Sequence, residues 1–448
     1  MLARFAKIVG VGMLVAAAGT LAGCAGDSGP ELPKLGDLNP FKEKIAPLPG
    51  RRIALTPAEA KVPGELADGS IPIQLPPVRS NESWSQPGGD PSNAPGNLAL
   101  SSTTVRQAWS ADAGTGSTNK GRVTASPVVA DGRVYTLDAD GQVSAFSVGG
   151  GSAVWRTVLA PESGTKGTGY GGGLAVDGGR LYGASGYGMV AAIDPATGKK
   201  IWEKNIGSPI RSSPTASGDK VFVVSSQGRF FCLNGADGSE IWAVRGLPQS
   251  ASLINNSSPA VDGETVIVPY TSGDLVALKV KDGSALWTEN LTRTRASSQL
   301  DSLTDAARPA IDAGVVFAVG HAGRMVATNA KTGERLWQLN VAGTQAPSVA
   351  GETVFVVDTS GQLMALSRRD GKVQWTMQLP AAKVWTGPTL AGGMLWLTSN
   401  KGALVGVDAI TGKLSSTVDV GDPVYVAPVV AGGKMYVLTD KAKLVAFN

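Results

Sequence analysis

The chain has 448 residues, a formal net charge of +4, 59 glycines and 27 prolines, and 17% of its residues are charged. This composition argues against a helical bundle and favours many short strands joined by glycine turns. No dense run of Lys and Arg is present, so we expect no nucleic-acid binding. One histidine and two cysteines are too few for a Cys/His zinc site. Carboxylates could still bind calcium, but we assign no metal site and no catalytic residue.

The first 24 residues form a predicted export signal. Arg4 and Lys7 supply a positive region, and the apolar stretch at residues 8–18 is too short to span a membrane. The segment ends in LAGC (residues 21–24), which resembles the bacterial lipobox, in which the cysteine thiol takes up a lipid. We therefore predict a signal peptide over residues 1–23 and lipidation of Cys24. The alternative is an ordinary secretory signal with a chance cysteine.

The residues after Cys24 predict both the cellular location of the protein and a tether. Ala25-Gly26 lacks the aspartate that retains some lipoproteins in the inner membrane, so the lipobox resemblance implies the outer membrane, facing the periplasm. Residues 24–79 are proline-rich without a sustained apolar period, and such a segment buries too little apolar area to offset its conformational entropy. We predict a flexible tether there. Cys232, within an apolar run, is predicted to be a buried, inert thiol.

One unit recurs after residue 104. It begins with a small residue and proline, continues through three strands separated by glycine turns, and ends in a fourth strand with tryptophan. The prolines from Pro214 to Pro428 are 38 to 50 residues apart. A period of about 40–50 residues with four strands is typical of a β-propeller blade. A solenoid or two β-sandwiches are the alternatives, and the regular tryptophan spacing argues against sandwiches. The tryptophans are Trp155, Trp202, Trp242, Trp287, Trp337 and Trp375, and Ser416 takes this position in the seventh unit.

The two ends of the repeat region predict how the ring closes. The eighth unit, residues 427–448, contains three strands and lacks the tryptophan strand. A matching strand occurs at residues 104–110 and carries Trp109. A ring closed in this way leaves no open edge. We therefore predict an all-β fold over residues 80–448. It is an eight-bladed β-propeller of four-stranded blades, closed by an N-terminal strand at 104–110, with residues 80–103 wrapping against the ring.

The segment AIDPATGKKIW (residues 192–202) resembles the tryptophan-docking repeat of pyrroloquinoline-quinone propellers, and residues 329–337 and 407–413 are weaker copies. Two families share this repeat: quinoprotein dehydrogenases, and the BamB family of outer-membrane propeller lipoproteins. The lipobox, the proline-rich tether and a ring of about 345 residues are similar to the second family. The dehydrogenases commonly place an adjacent-cysteine disulfide over the quinone. This sequence has no Cys-Cys pair, so we expect no cofactor.

The BamB resemblance implies a non-catalytic scaffold that aids insertion of outer-membrane proteins. Its partner would be the barrel-assembly protein, whose POTRA domains bind loops between blades; nascent outer-membrane proteins are a further implied partner. The matching loops are residues 247–259 and 291–309. The family's arginine in the first loop is replaced here by an apolar residue. The predicted contacts are Ala251, Leu253, Ile254, Asn255 and Asn256 in the first loop, and Leu300, Asp301, Leu303, Asp305 and Arg308 in the second.

Other interpretations remain open at this point. A periplasmic quinoprotein dehydrogenase rests on the repeat alone; Asp301 and Asp305 could act as a carboxylate pair, although no substrate cradle accompanies them and solvated loop acids are the simpler interpretation. A general adaptor for exported peptides or cell-wall glycan is the third function, because a fold does not determine a function. Leu253 and Ile254 could also fold inward instead of binding a partner.

Overall fold

A computed structural model describes residues 72–119, 121–161, 169–246, 257–292 and 305–448. In these ranges the regular elements are 32 β-strands, and no helix long and apolar enough to cross a membrane was found there. The predicted signal peptide, Cys24 and residues 25–71 of the predicted tether lie outside the described residues.

The strands form eight four-stranded antiparallel sheets, each a blade of a propeller. Blade 1 has β2 (Val128–Ala130), β3 (Arg133–Leu137), β4 (Gln142–Ser147) and β5 (Ala153–Val158); blade 2 has β6 (Gly172–Asp177), β7 (Arg180–Ser185), β8 (Met189–Ile193) and β9 (Lys200–Asn205). Blade 3 has β10 (Thr215–Ser217), β11 (Lys220–Val224), β12 (Arg229–Asn234) and β13 (Glu240–Arg245); blade 4 has β14 (Ala260–Asp262), β15 (Thr265–Pro269), β16 (Asp274–Lys279) and β17 (Ala285–Asn290). Blade 5 has β18 (Ala310–Asp312), β19 (Val315–Val319), β20 (Met325–Asn329) and β21 (Arg335–Leu339); blade 6 has β22 (Ser348–Ala350), β23 (Thr353–Val357), β24 (Gln362–Ser367) and β25 (Val373–Gln378). Blade 7 has β26 (Trp385–Ala391), β27 (Met394–Ser399), β28 (Ala403–Asp408) and β29 (Leu414–Asp419); blade 8 has β30 (Val429–Ala431), β31 (Lys434–Leu438), β32 (Lys443–Phe447) and β1 (Gln107–Asp112).

The predicted eight-bladed, all-β propeller is confirmed, including its closure. β1 pairs antiparallel with β32, with Trp109 opposite Ala446. The regular strand covers 107–112 instead of the predicted 104–110. Its start is shifted because the ladder is irregular between Gln107 and Trp109, while Arg106 still exchanges backbone hydrogen bonds with Asn448. The propeller therefore has no unpaired strand at the point where the ring closes.

The core is divided among the interfaces between blades. The second and third strands of a blade are covered on both sides, so they are continuous apolar runs such as VFVV in β11. The fourth strand alternates between exposed and half-buried residues, as in β5. Seven apolar clusters result among the described residues, and each joins neighbouring blades.

In seven of the eight blades, a tryptophan in the fourth strand connects that strand to the next blade. The indole Nε1 donates to a carbonyl oxygen in the turn between the third and fourth strands of that blade, at 2.7–3.2 Å. The same turn contains a glycine at positive φ, and a Cβ there would lie 2.4–2.8 Å from an atom of the tryptophan. The pairs are Trp109 with Gly151, Trp155 with Gly198, Trp202 with Gly238, Trp242 with Gly283, Trp287 with Gly333, Trp337 with Gly371 and Trp375 with Gly412.

The exception at Ser416 follows from the closure. Ser416 lies in β29 of blade 7, which packs towards blade 8. In blade 8 the third and fourth strands come from distant parts of the sequence, so no turn joins them. A tryptophan at position 416 would have no turn carbonyl to receive its hydrogen bond. The absence of a tryptophan at position 416 therefore follows from the closure of blade 8 by β1.

Residues 72–103, here called the strap, cross the face where the first strand of each blade turns into the second. Trp84 forms an antiparallel bridge with Val129 of blade 1, and Leu98 a parallel bridge with Ala391 of blade 7. The Gln86 side chain bonds to blades 2 and 3: its Nε2 donates to Val176 O and Ala216 O at 3.0 and 2.9 Å, and its Oε1 accepts from Ala216 N at 3.0 Å. The strap thus closes this end of the axis.

The packed part of the chain includes residues assigned to the tether from sequence. Ile73 and Leu75 pack against the apolar cluster of blades 6 and 7. The Asn97 side-chain amide also donates to Pro76 O at 3.0 Å. Residues 72–79 therefore lie on the ring, because their apolar side chains find a surface that a local sequence pattern does not reveal.

Candidate partner-binding face

The loops that join one blade to the next are here called connectors, and their described residues lie on the face opposite the strap. This placement follows from the blade, in which the first and third strands run away from the connector face and the second and fourth return to it. The two long connectors are residues 247–259 and 291–309, where the sequence predicts partner contacts. Most of these contacts lie in 247–256 and 293–304, outside the described residues: Ala251, Leu253, Ile254, Asn255, Asn256, Leu300, Asp301 and Leu303.

The first long connector starts and ends at fixed points. At its start, Gly246 N donates to Gly228 O at 2.8 Å. At its end, Ser258 is buried, and Pro259 O accepts hydrogen bonds from Thr215 Oγ1 at 2.7 Å and Asn93 Nδ2 at 3.4 Å. One of these donors belongs to blade 3 and the other to the strap. The described ends of this connector are therefore fixed by hydrogen bonds to blade 3 and to the strap.

The second long connector is held by backbone pairing. Thr292 and Ala306 form bridges with Gly323 and Gly320, on the turn between β19 and β20. Ala307 N donates to Val319 O at 2.9 Å. Both described ends therefore meet on the same turn of blade 5.

Asp305 and Arg308 are the two predicted contact residues that the structure describes; Asp305 is buried and Arg308 is half-buried. Asp305 is 4% exposed, and its backbone oxygen accepts from His321 N at 3.0 Å. The Arg308 Nη1 donates to Pro87 O of the strap at 2.8 Å, and burial lowers the pKa of this guanidinium to about 10. The side chain is therefore still a cation at neutral pH. Because Asp305 is buried and the Arg308 guanidinium bonds to the strap, we assign both residues to the base of the connector; that they contact a partner remains a prediction.

Tyr270 was not identified from the sequence and links the two long connectors. It follows β15, is 4% exposed, and its ring lies 2.4 Å from where a Cβ on Gly246 would be. Its carbonyl oxygen accepts from Ala306 N at 3.4 Å, and burial raises the pKa of its hydroxyl. The sequence does contain a signal for this residue: a large tyrosine stands where the equivalent positions in blades 3 and 5 are the small residues Ser225 and Gly320.

A cavity of about 450 Å³ lies on the axial side of the connectors. The strap forms its floor through Trp84, Pro87 and Asn93. Its walls come from the connectors that enter blades 1, 6, 7 and 8, together with Arg308 from the second long connector.

The described residues give little support for metal or thiol chemistry. They contain no group of three or more His, Cys, Asp and Glu side chains placed to hold a metal ion. Cys232 is buried in β12, as the sequence predicts. Burial raises the pKa of its thiol to about 12, and because the thiolate is the reactive form, this group is inert at neutral pH.

The fold and the tryptophan–glycine docking define the chain as an eight-bladed β-propeller of the tryptophan-docking class. A family model described as "Outer membrane protein assembly factor BamB" matches residues 93–168, 139–377 and 374–448. Together these segments cover residues 93–448, which include all eight blades. The chain belongs to this BamB family.

Individual relatives are more distant. The outer membrane protein assembly factor BamB of Shewanella oneidensis is 28% identical over 141 residues, which is 30% of this chain and 35% of that protein. The chain is thus aligned with about a third of this relative's length. The crystal structure of BamB from Moraxella catarrhalis matches with a TM-score of 0.65 and 18% identity, over 77% of this chain and 100% of that one.

The dehydrogenase class shares the architecture. The quinohemoprotein alcohol dehydrogenase from Comamonas testosteroni matches with a TM-score of 0.64 and 14% identity, over 82% of this chain and 80% of that chain. At such low identity both structural matches establish the fold alone. The family model, and not the structural likeness, distinguishes the two classes.

Proposed function

We propose that this protein is a non-catalytic scaffold lipoprotein of the outer-membrane β-barrel assembly complex. In this proposal, Cys24 carries the lipid that anchors the chain to the periplasmic face of the outer membrane. The connectors bind the POTRA domains of the barrel-assembly protein, and the scaffold aids insertion of outer-membrane proteins. The observation that carries the proposal is the BamB family match along almost the whole ring.

The geometry of the connector face supports this assignment. Binding residues are often carried by loops that a rigid scaffold positions, and both long connectors have ends held by hydrogen bonds to neighbouring segments. We assign the partner contacts to residues within 247–256 and 293–304. Asp305 and Arg308 then act at the base of the second connector, where they hold its end against blade 5 and the strap.

Site-specific crosslinking in cells tests the partner. A photoreactive residue at position 253 or 301 should crosslink to the barrel-assembly protein. The double variant Leu253→Asp, Asp301→Arg should reduce recovery of that protein in a pull-down by at least about tenfold, since central contacts of an interface often contribute 2 kcal/mol or more. The matched control is Glu264→Arg, an exposed turn residue on the strap face.

Three outcomes would contradict the partner assignment. One is unchanged recovery with the double variant, and another is equal loss with Glu264→Arg. The third is a crosslinked product that contains an exported peptide or cell-wall glycan in place of the barrel-assembly protein. That third result would favour a general adaptor.

The lipid anchor has its own test. Cys24→Ala should move the protein from the membrane fraction to the soluble periplasmic fraction and abolish incorporation of labelled palmitate. The anchor depends on the thiol of Cys24, since Cys232 is buried in blade 3. Retention of Cys24→Ala in the membrane fraction with label would show that the anchor lies elsewhere.

The dehydrogenase function is supported by the shared architecture alone. The adjacent-cysteine pair that commonly covers the quinone in that family does not occur in this sequence. The part of the chain that the structure describes also has no carboxylate cluster placed to hold a metal ion beside a quinone. These residues do not fit the group, so we propose no redox step.

A further inference from the structure

Blade 3 is basic at its connector end, which is the end that adjoins the connector face. Three exposed arginines lie there: Arg211, Arg229 and Arg245. The acids of the same blade all lie at the opposite end, in or beside the turns on the strap face: Asp219, Asp237 and Glu240. Among the described residues of this blade, the connector end therefore has three arginine positions and no acidic one.

Two of these arginines occupy directly opposite positions in the sheet. Arg229 in β12 and Arg245 in β13 are partners in the antiparallel ladder, and like charges placed directly opposite each other destabilise a sheet. In the seven other blades, whose residues at this position are all described, the equivalent pair never has like charges. In blade 4, for example, Asn290 Nδ2 donates to Asp274 Oδ1 at 2.7 Å. Blade 3 therefore keeps a pair that its own stability disfavours.

The two arginines of this pair differ in their surroundings. The Arg229 Nη2 donates to Glu240 Oε1 at 3.3 Å, and the guanidinium carbon lies 4.6 Å from the centre of the Phe231 ring. This side chain therefore extends along the blade, away from the connector face. The Arg245 side chain is exposed and makes no hydrogen bond or ion pair with the described residues. Arg245 is thus the member of the pair that can bind an external anion.

Arg245 also lies where the first long connector leaves the ring. The next residue, Gly246, donates from its backbone N–H to Gly228 O at 2.8 Å, in the turn between β11 and β12. The same turn is held to the connector that enters blade 3, because Ser226 N donates to Pro209 O at 2.7 Å. The Arg245 backbone is therefore fixed beside the segment to which we assign partner contacts.

Acids in the fourth strand of blade 2 and the third strand of blade 4 are engaged with other residues. Glu203 in β9 accepts from Lys200 Nζ at 2.6 Å. Asp274 in β16 accepts from Ser272 Oγ and Asn290 Nδ2, at 2.6 and 2.7 Å. Neither carboxylate is paired with Arg245, so the charge of Arg245 is left for a group from outside the described residues.

We propose that Arg245 binds a carboxylate on an acidic segment of the partner that docks on the first long connector. A guanidinium can hold a carboxylate through two parallel hydrogen bonds. The bound carboxylate also offsets the repulsion between Arg245 and Arg229, so the pair is unfavourable in the free protein and favourable in the complex. Charge complementarity of this kind mainly accelerates association and selects the partner. This inference rests on the proposed function, because it requires the connector at 247–259 to bind the barrel-assembly protein.

Association of the full mature chain with the purified barrel-assembly protein tests this inference. Arg245→Glu should lower the association rate constant by at least about tenfold. Raising NaCl from about 50 to about 500 mM should slow association of the unaltered chain and have much less effect on the variant. Lys401→Glu is the matched control, because it makes the same change of charge at an exposed position on the connector face of blade 7. Blade 7 lies opposite blade 3 in the ring, so this control should associate like the unaltered chain.

A second measurement separates recognition from folding. Arg245→Glu replaces a like-charge pair with an oppositely charged pair, so the thermal midpoint of the free protein should stay the same or rise. A residue that served the stability of the blade would give the opposite result. The expected combination is therefore slower association without loss of thermal stability.

Four contrary results have distinct meanings. Equal association rates for Arg245→Glu and the unaltered chain would overturn this inference and leave the proposed function in place. An equal loss with Lys401→Glu would show that association depends on net charge and not on blade 3. A lower thermal midpoint for Arg245→Glu would assign Arg245 to the stability of the blade. Absence of any binding by the unaltered chain would contradict the proposed function itself, and the crosslinking test would then fail with it.

Discussion

At the residue scale, the glycines before the fourth strands have two separate physical roles. One is conformational, because a residue at positive φ costs about 1–2 kcal/mol when it carries a Cβ. The other is steric, because the tryptophan of the preceding blade lies where that Cβ would be. Blade 5 separates the two roles: Gly333 at φ +74° has Trp287 2.5 Å from its virtual Cβ, and Gly314 at φ +76° has nothing within 4 Å.

This pair gives a prediction for stability. Gly314→Ala should lower the free energy of unfolding by about 1–2 kcal/mol through its backbone alone. Gly333→Ala should cost a further 1–3 kcal/mol or so, because the indole of Trp287 must move. Urea denaturation of both variants measures the difference. Equal losses for the two variants would contradict the steric role of the docking tryptophan.

At the element scale, ion pairs also join neighbouring blades. Arg335 in β21 of blade 5 donates from Nε and Nη2 to the two carboxylate oxygens of Glu289 in β17 of blade 4, at 3.1 and 2.5 Å. The Glu289 side chain is 7% exposed. This pair holds the pKa of Arg335 above its usual value. A carboxylate buried to this extent depends on its partner, whereas exposed pairs contribute little.

We therefore expect Arg335→Ala to lower the free energy of unfolding by about 2 kcal/mol, since it leaves a buried carboxylate without its charged partner. The control is Lys372→Ala, which removes an exposed partner of Asp370 at 3.6 Å and should cost no more than about 1 kcal/mol. Thermal and urea unfolding of the two variants provide the comparison. A loss for Lys372→Ala as large as that for Arg335→Ala would show that burial of Glu289 is unimportant.

At the scale of the whole molecule, the strap joins blades that are not adjacent in sequence to it. Gln86 is the most connected residue of this segment, with three hydrogen bonds to the backbone of blades 2 and 3. A ring of blades has contacts mainly between neighbours, and the strap adds contacts across the axis. The strap also lines the axial cavity.

The strap's contribution can be measured with Gln86→Ala. This change leaves Ala216 N and two carbonyl oxygens without their partner, so the free energy of unfolding should fall by about 1–3 kcal/mol. Hydrogen exchange at the Ala216 amide should become faster, while Val223 within β11 should keep its protection. Gln378→Ala removes one exposed hydrogen bond to Ser360 O and should have an effect within about 0.5 kcal/mol. Unchanged exchange at Ala216 would contradict the assigned role of the strap.

The blade count and the closure were predictable because they depend on local patterns that recur. Proline at the start of a first strand, glycine in the turns and tryptophan in the fourth strand recur in most blades, and each satisfies the same structural requirement wherever it occurs. The sequence also showed that Ser416 replaces the tryptophan in the seventh unit. The explanation for this exception required the observed closure of blade 8 by β1.

The sequence by itself thus determined the architecture, the family resemblance and the positions of the two long connectors along the chain. Only the tertiary structure decided where the strap lies, that Asp305 is buried and Arg308 bonds to the strap, and that Tyr270 links two connectors. The physical reason is the distance along the chain between the groups involved. Arg308 donates to Pro87 O, 221 residues earlier, and Gln86 bonds to Ala216, 130 residues later. No local periodicity encodes such a contact, because both of its partners are polar groups whose burial depends on the closed ring.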